Sequence, residues 1–137
     1  MGVGALRLLL DTHILIWWQI QPSRLTTAQS RALDFSREIG EQLGVASITL
    51  WEIAKLVELR RVHFEQDLDV VLRGIEQHPL LRVIRLDAGV ARESTRLGEQ
   101  LRGDPADRLI VATARVHGLR LVTSDERIRR SATVPVI

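Results

Sequence analysis

A short apolar run near the start of the chain ends abruptly at a carboxylate, and it limits the possible folds more than any other feature. Leu6 to Asp11 reads LRLLLD. A brief run of this kind predicts a strand buried on both faces, and such strands belong mainly to parallel sheets with helices on either side. In open α/β sheets ligands bind beyond the carboxyl ends of the strands. Asp11 therefore stands at a position where chemistry is expected.

Length and composition narrow the class of protein. The 137 residues fit one domain, so a single domain over 1–137 is expected. The absence of cysteine excludes disulfides, thiolate metal sites and cysteine nucleophiles. No apolar run approaches the roughly 20 residues that span a bilayer, and no signal peptide is recognisable at the N-terminus. The expected location is the cytoplasm.

Helix and strand signals alternate along the chain. This order predicts an α/β fold in which a mainly parallel, five-stranded sheet is joined by right-handed helical crossovers. The strands are predicted at about 6–11, 44–47, 82–86, 119–123 and 134–137. The helices are predicted at about 13–20, 26–39, 49–61, 67–77, 88–101, 104–117 and 125–129.

Five acidic residues fall at strand ends or helix starts on one edge of the predicted sheet. In a right-handed crossover the helix runs back against its strands, so strand C-termini and helix N-termini share that edge. The acids are Asp11, Glu52, Asp104, Asp107 and Asp125. We therefore expect their side chains to converge in one crevice.

Helix capping offers an alternative explanation for most of these acids. Thr49 and Glu52 have the spacing of a capping box, in which Glu52 would accept a hydrogen bond from the Thr49 amide. Asp104 has the position of an N-cap, and Asp125 could start a short helix. Taken one at a time, capping explains each of these residues well. It does not explain why four caps would lie at the same edge, or why Asp11 ends a buried strand.

Converging carboxylates need a counter-ion. Two of them about 4 Å apart repel by about 4 kcal/mol at an effective dielectric constant near 20. A group of three or four must therefore bind protons or a cation. With oxygen ligands only, and neither thiolates nor clustered histidines, the expected ion is Mg²⁺ or Mn²⁺. Mg²⁺ is commonly completed by substrate phosphate oxygens, which indicates phosphoryl chemistry.

Four segments resemble a known family when they are taken in order. LLLDTHILIWW, SITLWEIAK, GDPADRLIVATA and LVTSDERI are together similar to the PIN-domain nucleases, and most closely to the VapC-type toxins of bacterial toxin–antitoxin pairs. The resemblance covers essentially the whole chain. It implies a PIN-like three-layer α/β/α fold and a metal-dependent endoribonuclease that a cognate antitoxin inhibits. It also implies RNA as substrate and a homodimer.

The resemblance assigns roles to individual residues. It places the family's acidic site on Asp11, Glu52, Asp107 and Asp125, and it makes Asp104 an additional acid of less certain role. Asp11 and Asp107 are expected to be the principal metal ligands, with Asp125 completing the site directly or through water. Glu52 is expected to bind a second ion or to hold the attacking water.

Several other residues are candidates for supporting roles. The Thr12 and Thr123 hydroxyls could position water or phosphate, although a bond to nearby backbone is the favoured explanation for each. Trp17, Trp18 and Arg108 are candidates for contacts with RNA or the antitoxin. The chain has a net charge of +2 and a pI near 10.3, which is compatible with a polyanionic partner but does not require one.

Three alternatives remain open. A phospho-receiver domain also gathers acids at the carboxyl edge of a parallel sheet, but it needs paired acids after the first strand and a lysine after the last long strand; Lys55, the only lysine, is in mid-chain. A PIN-like nucleic-acid-binding or signalling module without nuclease activity is the second alternative. Cleavage of structured DNA by the same site is the third.

Overall fold

The computed structural model describes residues 5–137, so residues 1–4 of the predicted domain lie outside it. Its centre is a sheet in which all neighbouring strands are parallel, with the order β3-β2-β1-β4. The strands are β1 (Leu8–Leu10), β2 (Leu43–Ala46), β3 (Leu81–Ile84) and β4 (Arg120–Val122). The predicted α/β class with a parallel sheet is confirmed.

Seven α-helices connect and cover these strands within residues 5–137. They are α1 (Thr12–Ile20), α2 (Thr27–Glu38), α3 (Ser47–Glu58), α4 (Leu68–Gln77), α5 (Ala88–Ser94), α6 (Pro105–His117) and α7 (Glu126–Ser131). Short 3-10 turns lie at Pro22–Arg24 and Glu99–Leu101. None of these helices is long and apolar enough to cross a lipid bilayer.

The central strand divides the core into two halves. Successive side chains of a strand point to opposite faces, and all three residues of β1 are buried. Leu8 and Leu10 pack into the half that contains residues of α1 to α4. Leu9 packs into the other half, which contains residues of α6 and α7. Because β1 is buried on both faces, its position is fixed. The position of Asp11, which follows it directly, is fixed with it.

The prediction of a fifth strand at 134–137 is wrong. This segment runs parallel to β4 but makes a single isolated bridge, between Leu121 and Val136. The amide of Ile137 donates to the Leu121 carbonyl, and the Leu121 amide donates to the Pro135 carbonyl. Past the bridge the Thr123 amide donates to the Ile137 main-chain oxygen, but Pro135 has no N–H with which to extend the ladder towards the start of β4, so a full strand does not form.

The long helix predicted at 88–101 is interrupted. Helix α5 ends at Ser94, and Gly98 adopts a left-handed conformation with φ of 81°. Arg108 explains part of the break, because its guanidinium donates to the Ser94 carbonyl over 2.7 Å. A carbonyl bound in this way is withdrawn from the helical hydrogen-bond pattern. The other predicted helices are present, with ends displaced by a few residues.

Candidate active site

Asp11 occupies the junction between β1 and α1, where it is both buried and fully engaged. Only 3% of the residue is exposed. Its Oδ1 accepts from the Thr12 amide over 2.8 Å, so Asp11 caps α1. Its Oδ2 accepts from the Thr123 hydroxyl over 2.6 Å, across 112 residues of sequence. The two contacts fix the carboxylate at the carboxyl edge of the sheet, as predicted.

Glu52 faces Asp11 from helix α3, and the capping-box interpretation of this residue is wrong. Helix α3 begins at Ser47, two residues before Thr49, and its N-cap residue Ala46 has no side chain that could cap it. The Thr12 hydroxyl instead donates to the Glu52 carboxylate. Because a hydroxyl carries one proton, Thr12 accepts from Thr49 in their 3.0 Å contact. Glu52 is therefore held by α1 and does not cap its own helix.

Asp104 and Asp107 lie at the start of α6. Asp104 is the N-cap residue, and its Oδ1 accepts from the Asp107 amide over 3.2 Å. Pro105 follows at the first position of the helix, where a missing N–H costs nothing. Asp107 is 7% exposed and points into the same region as Asp11. Capping therefore explains the position of Asp104. It does not explain why the Asp107 side chain is buried.

Asp125 caps the last helix and is coupled to Asp11 through Thr123. Its Oδ1 accepts from the amides of Arg127 and Ile128, which confirms the capping prediction. The Thr123 hydroxyl accepts from the Asp125 amide over 3.0 Å while it donates to Asp11. Thr123 thus bonds both to backbone and to an acid of the site, so neither sequence interpretation of this hydroxyl was complete.

Burial, together with the charge of neighbouring acids, raises the pKa of three of the acids. Burial raises the pKa of Asp11, and nearby Asp125 adds to the effect. Burial also raises the pKa of Glu52, with contributions from Asp11 and Asp104. For Asp107, burial together with repulsion from three other acids, Asp11, Asp104 and Asp125, raises the pKa to about 7. All five predicted acids therefore share one electrostatic environment.

One cation already lies within this environment. The Arg127 guanidinium donates to Oδ2 of Asp107 over 2.6 Å and lies 3.8 Å from Oδ2 of Asp104. Such a contact favours the ionised form of Asp107, yet desolvation and the surrounding carboxylates outweigh it, because the net pKa shift is upward. Arg127 partly neutralises the cluster and does not remove its demand for positive charge.

The donor set suits a hard divalent cation, but it is not preassembled as a metal site. Within residues 5–137, no three acidic or histidine side chains are close enough to hold one ion. The predicted binding of a metal ion by Asp11, Glu52, Asp107 and Asp125 therefore remains a prediction. The chemistry of the donors fits such an ion, because all of them are carboxylate oxygens and three of them, those of Asp11, Glu52 and Asp107, are buried enough for desolvation to raise their pKa. Asp107 also accepts a hydrogen bond from Arg127.

Comparison with known proteins places the chain in a family. The model of the PIN domain matches residues 8–134, which include all five acids. The chain belongs to the PIN domain family. It is 39% identical over 121 residues to Ribonuclease VapC22 of Mycobacterium tuberculosis (strain ATCC 25618 / H37Rv), and the match covers 88% of each protein.

Solved structures agree with this PIN assignment at the level of the fold. DNA-bound VapBC from Salmonella typhimurium contains a chain with a TM-score of 0.70 and 19% identity. VapBC2 from Rickettsia felis, bound to a DNA fragment from its promoter, gives a TM-score of 0.69 and 16% identity. Each match covers 97% of this chain and 98% of the other. The predicted PIN-like α/β fold is confirmed.

The aromatic candidates of this PIN domain are engaged within the chain. Trp17 and Trp18 are both partly buried on α1. The centroid of the Trp17 ring lies 4.9 Å from the centroid of the His13 ring. The same centroid lies 4.4 Å from the guanidinium carbon of Arg24. The Trp18 ring lies 5.5 Å from the His78 ring, with the two planes tilted by 54°. The predicted RNA or antitoxin contacts of these rings remain predictions.

Two further candidates have structural contacts. Arg108 uses its guanidinium on the Ser94 carbonyl, so it joins α6 to the end of α5. Its predicted contact with a partner remains a prediction. His13 accepts from the Ser124 amide through Nε2, while its Nδ1 lies 3.6 Å from Oδ2 of Asp11. His13 therefore lies between the loop at Ser124 and Asp11.

Sequence reasoning missed a buried glutamine behind the acids of this PIN domain. Gln29 on α2 is 1% exposed, and its Nε2 donates to the Thr123 carbonyl, the Ser124 hydroxyl and the main-chain oxygen of Ile137. Its Oε1 accepts from the Thr26 amide in a capping box. The Thr-x-x-Gln spacing could have revealed the cap. No local pattern announces the tie to the loop that carries Asp125.

Proposed function

We propose that this chain is a metal-dependent endoribonuclease and the toxin of a toxin–antitoxin pair. The observation that carries the proposal is the shared environment of five carboxylates, in which the pKa of Asp107 rises to about 7. Membership of the PIN domain family and 39% identity to a protein named Ribonuclease VapC22 support it. The proposed substrate is RNA, and the proposed partners are a cognate antitoxin and a second copy of the chain.

Three carboxylates are proposed to bind the cation that activates water and contacts the phosphodiester. Asp11 and Asp107 are the principal proposed ligands of Mg²⁺ or Mn²⁺, because they are the most buried of the acids. Asp125 keeps its Oδ2 clear of the capping contacts that engage Oδ1, so it can complete the site. A divalent ion bound here supplies Lewis-acid activation of water and neutralises charge on the phosphodiester.

The remaining groups hold these carboxylates in place. Thr12 fixes Glu52 by donating its hydroxyl proton, which leaves the second Glu52 oxygen to orient water or to bind a second ion. The Thr123 hydroxyl donates to Asp11 and accepts from the Asp125 amide, so it holds both residues in place. Asp104 adds negative charge beside Asp107 while it caps α6. Hydrogen bonds of this kind orient the carboxylates that are proposed to bind the ion.

Asp11→Asn tests the proposal. The asparagine can still accept from the Thr12 amide, so the fold is expected to persist, whereas RNA cleavage with Mg²⁺ or Mn²⁺ should fall roughly a hundredfold or more. Excess chelator should abolish cleavage by the wild-type chain. Asp34→Asn, at an exposed position on α2, is the matched control and should retain activity. Undiminished cleavage by the Asp11 variant, or in chelator, would refute the metal-dependent mechanism.

A further inference from the structure

Arg127 stands apart from the other arginines because its guanidinium lies inside the acid cluster. Its Nη2 is 2.6 Å from Oδ2 of Asp107, one of the two principal proposed ligands. The same nitrogen is 3.8 Å from Oδ2 of Asp104. The side chain nevertheless remains 49% exposed, so it can leave without disrupting the core. Arg127 thus satisfies Asp107 electrostatically but is not locked in place.

The backbone next to this guanidinium is fixed by the site itself. The Arg127 amide donates to Oδ1 of Asp125 over 2.8 Å, at the first turn of α7. Asp125 is in turn attached to Asp11 through the Thr123 hydroxyl. The backbone of Arg127 is therefore held in place while its side chain can move. Residues of the acid cluster determine where that backbone lies relative to Asp107.

A metal ion on Asp107 and this guanidinium compete for one carboxylate. Oδ2 accepts a short, charge-assisted hydrogen bond from Arg127. An ion that coordinates the Asp107 carboxylate places a second positive charge beside the guanidinium, and the two cations repel each other. Binding of the ion therefore favours departure of the Arg127 side chain, which is 49% exposed.

We propose that Arg127 is an exchangeable counter-ion that occupies the metal position on Asp107 and is displaced when a divalent cation binds. The inference rests on the proposed function, since it assumes that the acids bind such a cation. It adds a regulatory element to the site: the chain's own arginine sets the cation concentration at which the site fills. In this proposal a positive charge lies beside Asp107 both before and after the cation binds, first from Arg127 and then from the metal ion.

The binding test compares two variants of the full chain that lose the same charge. Arg127→Gln removes the competitor, whereas Arg130→Gln removes a guanidinium on the same helix that is 82% exposed and lies 3.8 Å from Glu126. Titration with MnCl₂ in a calorimeter measures affinity without any substrate. We expect Arg127→Gln to bind Mn²⁺ about three- to tenfold more tightly than Arg130→Gln, from the usual strength of partly exposed charged contacts.

The outcomes separate this inference from the proposed function. Equal Mn²⁺ affinity in the two variants, with measurable binding by the wild type, overturns the role of Arg127 and leaves the metal-dependent nuclease standing. Binding by Arg127→Gln alone supports the inference strongly. No binding by any form, including wild type, overturns both the metal site and the inference that depends on it.

A measurement on the unaltered chain covers the case in which Arg127→Gln does not fold. Nitrogen-15 spectra of arginine side chains report the environment of each Nε–H group. Addition of Mg²⁺ should shift the Arg127 signal towards that of a solvated guanidinium and leave the Arg130 signal in place. An Arg127 signal that stays unchanged at saturating Mg²⁺ would show that the guanidinium is not displaced, and the proposal would be wrong.

Discussion

Two threonine hydroxyls determine how the most constrained carboxylates are oriented. Thr123 donates to Asp11, and Thr12 donates to Glu52. A hydroxyl has one proton to donate, so each threonine is committed to one acid and accepts from another group at the same time. The partners lie far apart in sequence, 112 residues for Thr123 and Asp11 and 40 for Thr12 and Glu52. Only the completed fold brings them together.

The acids themselves could be predicted from the sequence, but their bonding partners could not. Asp11 was identified because it ends an apolar run, and Asp107 and Asp125 because they lie near helix starts. Local patterns encode the ends of elements. They do not encode contacts between elements, which explains why a capping box that does not form remained an alternative for Glu52 and why Gln29 was overlooked.

The raised pKa of Asp107 predicts that stability decreases with rising pH when metal is removed. The folded protein keeps the proton up to a pH of about 7, whereas the unfolded chain releases it near its ordinary pKa of 3.8. The folded state therefore binds more protons between these values, and the free energy of unfolding falls across this window. Asp107→Asn should remove on the order of 2 kcal/mol of that decrease.

Denaturant unfolding in chelator at several pH values measures this effect. Asp34→Asn provides the comparison, since Asp34 is an exposed residue of α2, and it should retain the pH dependence of the wild type. Asp11 and Glu52 act in the same direction, so part of the slope will persist in the Asp107 variant. Identical slopes for wild type and Asp107→Asn would contradict the upward shift.

At the level of elements, capping and site formation turn out to be compatible roles of one residue. Asp125 uses Oδ1 to cap α7, and Asp104 uses Oδ1 to cap α6. The second oxygen of Asp104 lies on the side of the acid cluster, 3.8 Å from the Arg127 guanidinium, and the capping contacts of Asp125 leave its Oδ2 unused. Capping signals in the sequence were therefore correct for these residues, although they did not exclude a role in the site.

The order of the elements was predictable, whereas several of their limits were not. Apolar runs and helical periodicity identified the four strands and the helices between them. The interruption after Ser94 depends on a guanidinium from α6, and the incomplete pairing of 134–137 depends on Pro135 beside β4. Arg108 lies outside 88–101, so the pattern of that segment could not reveal the interruption. Pro135 lies within 134–137 and was visible in the sequence, but it was given too little weight.

Gln29 should be more important for α2 than a capping residue alone. Gln29→Met removes its half of the capping box and also its three donor contacts to the segments around Thr123 and Ile137. Thr26→Ala breaks the same capping box without touching those contacts. We expect the alanine variant to lose about 1 kcal/mol and the methionine variant about 1 to 3 kcal/mol more.

Thermal or denaturant unfolding of the two variants separates these contributions. The methionine variant should also lose RNA cleavage, because the loop between β4 and Asp125 loses its support from α2. Equal stability of the two variants would show that the buried amide contributes only to capping.

For the whole molecule, the proposed function makes a prediction in cells. Expression of the chain alone should arrest growth, because RNA cleavage proceeds without an inhibitor. Asp107→Asn should relieve the arrest, since it removes a principal proposed ligand, while Asp34→Asn should remain toxic. Colony counts after induction, with folded protein confirmed in each strain, measure the outcome. Harmless expression of a folded wild-type chain would contradict the toxin role.

The long-range bond between Thr123 and Asp11 has a consequence for the timing of activity during protein synthesis. The carboxylate that ends the first strand acquires its full set of donors only after residue 123 has been translated and β4 has paired with β1. A nascent chain on the ribosome therefore carries Asp11 long before it can use it. If the chain is a ribonuclease, its first catalytic event must wait until residue 123 has left the ribosome and β4 has paired with β1.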